Sequence, residues 1–373
     1  MTRNKRRTGS KEVRKSRKKF PRMFRKICVF VLTFQGTYLA ISQVNEPYPP
    51  SPIIDSVIWE EDSKVQFGLG SDQWPMTWSD DGDVYAAWGD GWGWTRGEEA
   101  KRSLGITRVA GSPPDISGED VYGIGPGQNF GKPDALIAFD NRIYMFWTNG
   151  DSKYENDSFT AVSLDSGKTW KLGKERFLKY APAGFRVRGI LQYGKGYQGA
   201  MDEYLYIYFG LNRHPDIYLA RVKKEEVFNE RAYEWFVYMD ENGQPYWTLD
   251  FSRKATAFHD NNAYLWHLSI CYNSGLDRYI LTKPHFSTGD NRNEVRAPDT
   301  NMSSFGIFDA PTPWGPWTTV YYQENFMDEL LKFNYVIPTK YISNGGQKFW
   351  LGWSGWPEYD NVTFMKGRFL LRK

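Results

Sequence analysis

The sequence predicts an all-β fold, a five-bladed β-propeller, preceded by an N-terminal export signal or membrane anchor. Two observations predict the propeller. After residue 56, short aromatic and β-branched runs alternate with Gly, Asp, Asn and Pro turns, and a Tyr- or Trp-rich strand recurs at long intervals. A dense basic block followed by an uncharged apolar run predicts the N-terminal segment.

The N-terminal segment has two parts. Residues 1–26 form a basic cytoplasmic leader with thirteen Lys or Arg and one acid, and residues 27–42 carry no charge. This run is shorter than the roughly 20 apolar residues that span a bilayer, and 40–42 (Ala-Ile-Ser) resembles a cleavage site, which favours a signal peptide. An uncleaved membrane anchor stays open because the basic leader is long. Both forms place everything after Ser42 outside the cytoplasm, either secreted or tethered to the membrane.

The remaining chain divides into a linker and one domain. Residues 43–56 contain four prolines and read as an extended linker, and residues 57–373 form the predicted propeller domain. Without the leader, 34 basic residues face 43 acidic ones, so this part repels phosphate backbones and nucleic acid is not a predicted partner. Cys271 is the only cysteine of the domain and the four histidines lack metal-ligand spacing. We predict no disulfide, metal or cofactor.

A turn residue followed by a Tyr- or Trp-rich strand recurs five times. The copies are 83–89, 141–147, 203–209, 262–266 and 347–353. Their central aromatic residues are Tyr85, Tyr144, Tyr206, Tyr264 and Phe349. Successive copies lie 59, 62, 58 and 85 residues apart, and a four-stranded blade takes about 40 to 50 residues. Five copies therefore predict five blades, with an ordinary β-sandwich as the alternative fold.

Residues 163–170, Ser-Leu-Asp-Ser-Gly-Lys-Thr-Trp, strengthen the propeller prediction. They match the Ser-x-Asp-x-Gly-x-Thr-Trp pattern, the Asp box, seen in sialidase-like propellers. We expect Asp165 to bond back to the backbone, Gly167 to accept a positive φ and Trp170 to pack between blades. Asp165 is therefore interpreted as a structural residue.

The stretch 67–94 carries the candidate chemistry. Asp80-Asp81-Gly82 has the form of a three-residue hairpin loop with its glycine left-handed. The strand pairs expected from this loop are Trp78–Val84, Met76–Ala86, Trp74–Trp88 and Asp72–Asp90. Opposed residues have Cβ atoms about 4.5 to 5.5 Å apart, so the last pair would compete for a proton.

Two carboxyl groups with separated pKa values are what a glycosidase requires, one as acid and one as base or nucleophile. We therefore predict Asp72 and Asp90 as the catalytic pair, on one axial face of the propeller. The alternative is that both are turn residues at strand ends. Glycines around the pair leave the site open, and Trp92 and Trp94 offer flat faces on which a sugar can stack.

These residues also carry a family resemblance. Gly70-Ser71-Asp72 followed by Trp88-Gly89-Asp90, the Asp box, and 314–318 (Trp-Gly-Pro-Trp-Thr) resemble the family catalogued as domain of unknown function 4185 (DUF4185), over roughly residues 60 to 372. That family resembles the five-bladed propellers of furanosidases, and one branch, glycoside hydrolase family 183, comprises endo-D-arabinanases. The branch's acidic pair would fall on Asp72 and Asp90. This chain differs from the branch motifs at Gln73-Trp74 and at Gly91.

Further polar and aromatic residues lie at strand ends, where propeller loops gather. The predicted substrate-binding residues are Gln73, Trp74, Trp92, Trp94, Lys132, Asn149, Arg188, Gln192 and Asp202. Asp202 is the best third acid, with a loop cap as its alternative role. For each of the polar residues the alternative is an ordinary solvated or structural side chain.

Taken together, these patterns predict an exported glycoside hydrolase that acts on a polysaccharide or other glycan. The family resemblance implies a furanoside such as arabinan. The alternatives are a carbohydrate-binding propeller without turnover and a protein-interaction propeller at the cell surface. The oligomeric state is not predicted.

Overall fold

The structure is a computed structural model that describes residues 46–97, 100–126, 131–149, 157–211, 214–262, 267–285, 304–324, 326–328, 333–355 and 360–373. Within these residues, twenty-two strands form five antiparallel sheets. The predicted five-bladed propeller is confirmed, and the β-sandwich alternative is wrong. The sheets are blades 1 to 5 in chain order.

The strands of each blade are given from the inside outwards. Blade 1 contains β2 (Asp72–Trp78), β3 (Val84–Gly91), β4 (Arg102–Ser112) and β5 (Asp115–Pro126). Blade 2 contains β6 (Gly131–Phe139), β7 (Arg142–Asn149), β8 (Ser158–Ser163) and β9 (Lys171–Leu172). Blade 3 contains β10 (Arg186–Ile190), β11 (Tyr204–Gly210), β12 (Asp216–Lys223), β13 (Glu234–Met239) and β14 (Pro245–Thr248), with β15 (Thr256–His259) also paired to β12.

The last two blades complete the ring. Blade 4 contains β16 (Ser269–Asn273), β17 (Arg278–Pro284), β18 (Phe305–Ala310) and β19 (Thr318–Gln323). Blade 5 contains β20 (Phe333–Val336), β21 (Lys348–Ser354), β22 (Val362–Leu371) and, outermost, β1 (Ile54–Phe67). Short 3₁₀ turns occupy Lys195–Tyr197, Lys224–Glu226, Glu230–Ala232, Phe251–Arg253, Phe326–Asp328 and Thr339–Tyr341.

Blade 5 joins the two ends of the domain in one sheet. β1 pairs antiparallel with β22, so the first strand of the domain supplies the outer edge of the last blade. Trp59 of β1 packs its ring 5.2 Å from Phe326 and 5.8 Å from Phe349. The inner strands β2, β6, β10, β16 and β20 contact one another in turn around the axis, and β20 meets β2. The ring is therefore closed.

The aromatic repeat marks the second strand of four blades. Tyr85, Tyr144, Tyr206 and Phe349 lie on β3, β7, β11 and β21. Blade 4 differs, because its second strand is β17 and the aromatic residue of that strand is Tyr279. The fourth predicted copy, 262–266, lies outside the described residues except for Asn262. Tyr264 itself lies outside the described residues. In blade 4 the hairpin turn between β16 and β17 contains Asp277, whose φ is 51°. Residues 261–262 instead form a turn in the chain before β16.

Two predicted turns have the expected geometry. Gly82 has a φ of 93°, and Trp78 pairs with Val84 across the loop. In the segment 163–170, the Asp165 carboxylate accepts hydrogen bonds from the Thr169 N–H at 2.9 Å and hydroxyl at 2.7 Å. In the same segment, the half-buried Trp170 lies 6.1 Å from Tyr122 of blade 1, as expected for a residue between blades.

The segment that precedes β1 packs on blades 3 and 4. The Ser51 N–H donates to the Thr319 carbonyl at 2.8 Å, and the Tyr48 ring lies 5.0 Å from Phe258. The predicted leader and apolar run, residues 1–42, lie outside the described residues. Within the described part of the chain, no helix is long and apolar enough to cross a membrane.

Candidate active site

The starts of the inner strands meet at one end of the axis. Lys132, the second residue of β6, reaches Asp90 near the end of β3. At the same end, Asp134 of β6 lies 3.5 Å from Arg186 of β10 and 3.4 Å from His267, which precedes β16. We call this end of the propeller the upper face. Both predicted acids, Asp72 at the start of β2 and Asp90, belong to it.

The predicted register of the β2–β3 hairpin is right near its turn and wrong beyond it. Met76 pairs with Ala86, but Gln73 then faces Trp88 and Asp72 faces Gly89. Two predicted pairs are therefore wrong by one residue. Asp72 lies opposite Gly89 and not Asp90, and Trp88 lies opposite Gln73 and not Trp74.

A bulge between Gln73 and Met76 causes this shift. Gln73 and Trp74 have φ of 80° and 62°, and Pro75 has no N–H to donate to a ladder. The Trp74 indole is buried and donates to the Ser71 carbonyl at 3.2 Å. The bulge thus turns the Trp74 side chain into the core and shifts Asp72 by one position along β3.

The two acids remain electrostatically coupled in spite of the shift. Asp72 is 4% exposed, and burial followed by the neighbouring charges of Asp90 and Asp360 raises its pKa to about 8. Burial also raises the pKa of Asp90 above its ordinary value. The Lys132 ammonium acts in the opposite direction and lowers that pKa, but burial is the larger effect. Asp72 Oδ1 is buried without a hydrogen-bond partner among the described residues.

Two ammonium groups surround the acids. Lys132 contacts the Asp90 carboxylate directly and lies 3.5 Å from the Ser103 carbonyl. Lys101 donates to Asp360 at 2.8 Å. Both ammonium groups lower the pKa of Asp72, but burial outweighs them. We call this group the acid cluster, and its members are Asp72, Asp90, Asp360, Lys101 and Lys132.

Glycines let the backbone of the acid cluster close up. A Cβ on Gly89 would stand 2.9 Å from Asp72 Oδ1 and 3.0 Å from the Lys132 stem. A Cβ on Gly91 would stand 1.9 Å from the Ser71 hydroxyl and 2.1 Å from the Gly70 carbonyl. A larger residue cannot occupy position 91 in this backbone.

A second polar group lies on the axis itself. Asp134, Arg186, His267 and Asn334 come from four successive blades, and we call them the axial ring. His267 Nδ1 lies 2.9 Å from the Asn334 amide oxygen, and its Nε2 faces Asp134. Burial lowers the pKa of His267 below its ordinary value, and it outweighs the Asp134 carboxylate, which acts to raise that pKa. Each residue lies at or near the start of an inner strand, a signal that is readable only once blade boundaries are known.

The axial ring borders a small cavity of about 30 Å³, which has room for about two waters. Its lining includes Trp74, Asp134, Gln192, His267 and Asn334. Neither Asp72 nor Asp90 lines it. The two predicted catalytic acids therefore lie outside this axial cavity.

Gln192 is one of the residues that line this cavity. Its side chain accepts from the Thr77 hydroxyl at 2.9 Å and donates to the Leu136 carbonyl at 2.9 Å. Its backbone also bonds to Ile270 and Tyr272 of blade 4. Gln192, predicted to bind substrate, thus ties four blades together at the axis.

The predicted aromatic contacts have different surroundings. Trp92 lines a surface cavity of about 360 Å³ with Trp88 and Tyr122, and its ring lies 4.9 Å from the Lys101 ammonium. Trp94 stacks on Phe67 at 5.0 Å and so belongs to the packing against blade 5. Trp92 therefore lines a cavity, whereas Trp94 is a packing residue.

The other predicted contacts divide between the two ends of the axis. Asn149 ends β7 on the upper face, opposite Gly131. Arg188 is fully buried and donates to the Gly210 carbonyl at 3.1 Å. Asp202 precedes β11 at the opposite end, where it accepts from the Tyr206 hydroxyl at 2.6 Å. Asp202 is a turn residue far from Asp72, and the prediction of it as a third acid is corrected.

Structures of similar fold are enzymes that act on glycans. A GH43_1 enzyme from Xanthomonas citri has 13% identity and a TM-score of 0.46, over 84% of this chain and 92% of that one. A GH43 β-xylosidase/α-arabinofuranosidase from a compost microbial metagenome has 16% identity and a TM-score of 0.46, over 83% and 96%. The catalytic domain of a GH62 α-L-arabinofuranosidase from Coprinopsis cinerea has 11% identity and a TM-score of 0.45, over 85% and 98%. At these identities the similarity is one of fold.

No family model and no curated protein matches this sequence. The resemblance to the DUF4185 family is therefore unconfirmed and stays a prediction. The described residues also contain no group of three or more His, Cys, Asp or Glu side chains that could hold a metal ion.

Proposed function

We propose that this protein is an exported glycoside hydrolase that cleaves a polysaccharide with the paired carboxyl groups of Asp72 and Asp90. The observation that carries the proposal is their unequal environment on the upper face. Burial raises the pKa of Asp72 to about 8, so this carboxyl is protonated at neutral pH. Asp90 instead contacts the Lys132 ammonium, which favours the ionised form.

This difference assigns the roles. Asp72 is the general acid that protonates the leaving oxygen of the glycosidic bond, and Asp90 is the carboxylate that acts as base or nucleophile. Lys132 positions Asp90 and favours its ionised form. Trp92, in its surface cavity, is the aromatic contact proposed for a sugar ring. A furanoside polymer such as arabinan is the first substrate to test, because the sequence resembles that of the endo-D-arabinanase branch.

One observation favours a second candidate, a carbohydrate-binding propeller without turnover. Asp72 is 4% exposed and does not line the axial cavity, whose volume of about 30 Å³ is too small for a sugar ring. A purely structural Asp72 would leave the upper face able to bind glycans but not to cleave them.

Product detection with Asp-to-Asn variants separates the two candidates. The full chain is incubated with arabinan, arabinoxylan and other soluble polysaccharides, and reducing ends are measured. The hydrolase predicts loss of product by at least about a hundredfold in Asp72→Asn and Asp90→Asn, with polysaccharide binding retained. Asp62→Asn, on the exposed part of β1, is the matched control. Binding without product in the unmodified protein would support the second candidate.

A further inference from the structure

A larger cavity opens at the end of the axis opposite the acid cluster. Its volume is about 420 Å³, and its lining includes Trp78, Tyr193, Lys195, Gln198, Tyr272 and Gly345. This size falls within the range of sites that hold small ligands. Trp78 is the last residue of β2 and Asp72 is the first, so the cavity lies about 20 Å from the acid cluster along a strand.

The aromatic walls of this lower cavity are fixed by hydrogen bonds. The half-buried Trp78 donates from its indole N–H to the Gly82 carbonyl at 3.1 Å. The half-buried Tyr272 donates its hydroxyl to Asp277 at 2.7 Å. Behind it the buried Tyr193 bonds to the Tyr279 hydroxyl at 2.8 Å. Two aromatic side chains are thus held in place and partly exposed.

The rim is polar and its groups are available. Among the described residues, the side chains of Lys195, Gln198 and Ser274 make no hydrogen bond, and no carboxylate lies within 4.0 Å of the Lys195 ammonium. Gln198 and Ser274 are exposed and Lys195 is half-buried. These side chains present an ammonium, an amide and a hydroxyl around the aromatic walls.

The loops that form the rim are held close together. A Cβ on Gly275 would stand 2.2 Å from the Gly345 carbonyl carbon, so the two loops pack backbone to backbone. Asn273 donates its amide to the Gly346 carbonyl at 2.8 Å. At Gly194 and Gly345 a Cβ would meet nothing within 4 Å. The loops of the rim therefore hold each other in place, and open space remains above Gly194 and Gly345.

We propose that this lower cavity is a second, non-catalytic carbohydrate-binding site that holds a glycan chain on the face opposite the acid cluster. Flat aromatic surfaces match the C–H faces of a sugar ring, and unpaired donors and acceptors match its hydroxyls. The proposal rests on the proposed function for the class of ligand. Its effect is to keep a long polysaccharide on the enzyme without taking part in cleavage.

The test is native affinity electrophoresis of the full chain in gels that contain soluble arabinan or arabinoxylan. Asn tolerates a left-handed backbone, so Gly345→Asn, at a φ of 60°, places a side chain in open space over the cavity. Lys195→Ala combined with Gln198→Ala removes two rim contacts, and we expect binding to weaken about tenfold. Lys168→Ala, an exposed lysine of the same charge in blade 2, is the control.

Loss of retardation in both cavity variants, with the Lys168→Ala control unchanged, supports the site. Unchanged cleavage of short oligosaccharides by these variants is the expected second result. Equal retardation of the cavity variants and the unmodified protein would overturn the second site. An unmodified protein that releases product but is not retarded would overturn it too, while leaving the proposed hydrolase intact. Loss of product in Asp72→Asn alone bears only on the hydrolase.

Discussion

The Lys132 ammonium of blade 2 contacts the Asp90 carboxylate of blade 1, and the Lys132 stem passes over Gly89 beside the Asp72 carboxylate. One cation therefore acts differently on two acids, the buried Asp72 and the half-buried Asp90. Asp90 has a direct hydrogen-bonded partner, while Asp72 feels the same charge only through space. This relationship between two blades separates the proposed roles of the acids.

Lys132→Met should shift the pH dependence of cleavage. The ammonium lowers the pKa of both acids, so its loss raises both pKa values. Asp90 must then lose its proton at higher pH, and the acid limb of the kcat/KM profile moves upward. Lys132→Arg, which keeps the charge, should move it less. An unchanged profile in Lys132→Met would show that the lysine does not set the ionisation of Asp90.

Asp72→Asn should change how stability depends on pH. The folded protein holds the Asp72 proton up to a pKa of about 8, whereas the unfolded chain releases it near pH 4. The contribution of the protonated Asp72 to the free energy of unfolding is therefore fully present below about pH 4 and is lost as the pH rises towards 8. Asn cannot ionise, so the variant should gain Tm relative to the unmodified protein between pH 5 and pH 9. A Tm difference that is constant across this range would contradict the raised pKa.

Gly89→Ala should impair cleavage more than folding. The new methyl group would press on Asp72 Oδ1 and on the Lys132 stem, and both side chains can yield by small rotations. Misplacement of a catalytic group by about 1 Å can cost about a hundredfold in rate. We expect a large loss of kcat with a Tm within a few degrees of the unmodified protein. Equal activity of the two proteins would remove Asp72 and Lys132 from the proposed machinery.

Asp134→Asn should destabilise the axial ring. Its carboxylate is fully buried between Arg186 and His267, so the variant leaves a buried guanidinium without its counter-charge. Breaking a buried ion pair costs about 3 to 5 kcal/mol, so we expect a loss of this size in the free energy of unfolding. Urea unfolding of the variant and the unmodified protein measures the loss. Arg186→Met in the same background should recover part of the loss. Independent, additive effects of the two substitutions would contradict the pairing.

The exported form should begin at Gln43. This expectation follows from the basic leader, the short uncharged run and the small residues at 40–42. N-terminal sequencing of the protein recovered outside the cytoplasm measures it. A protein that still begins at Met1 or Thr2 and sediments with membranes would establish the anchor instead.

The number of blades could be predicted because a repeated strand leaves a local signal. Tyr85 and Tyr206 each follow an aspartate of the preceding turn by four residues and donate their hydroxyl to it, at 2.7 and 2.6 Å. This contact is local, so it recurs in the sequence with the strand. In blade 4 the corresponding tyrosine, Tyr279, is overlooked because a similar turn-and-aromatic pattern occurs before β16.

The site was only partly predictable. The sequence by itself determined the all-β propeller, its hairpin turns and the placement of Asp72 and Asp90 near one strand end, because turn chemistry and strand alternation act between near neighbours. Tertiary structure alone decided the contact between Lys132 and Asp90 and the axial ring around His267. These contacts join residues from different blades. Their physical cause is the packing of inner strands around a closed axis, which brings distant charges into a shared interior of low dielectric constant.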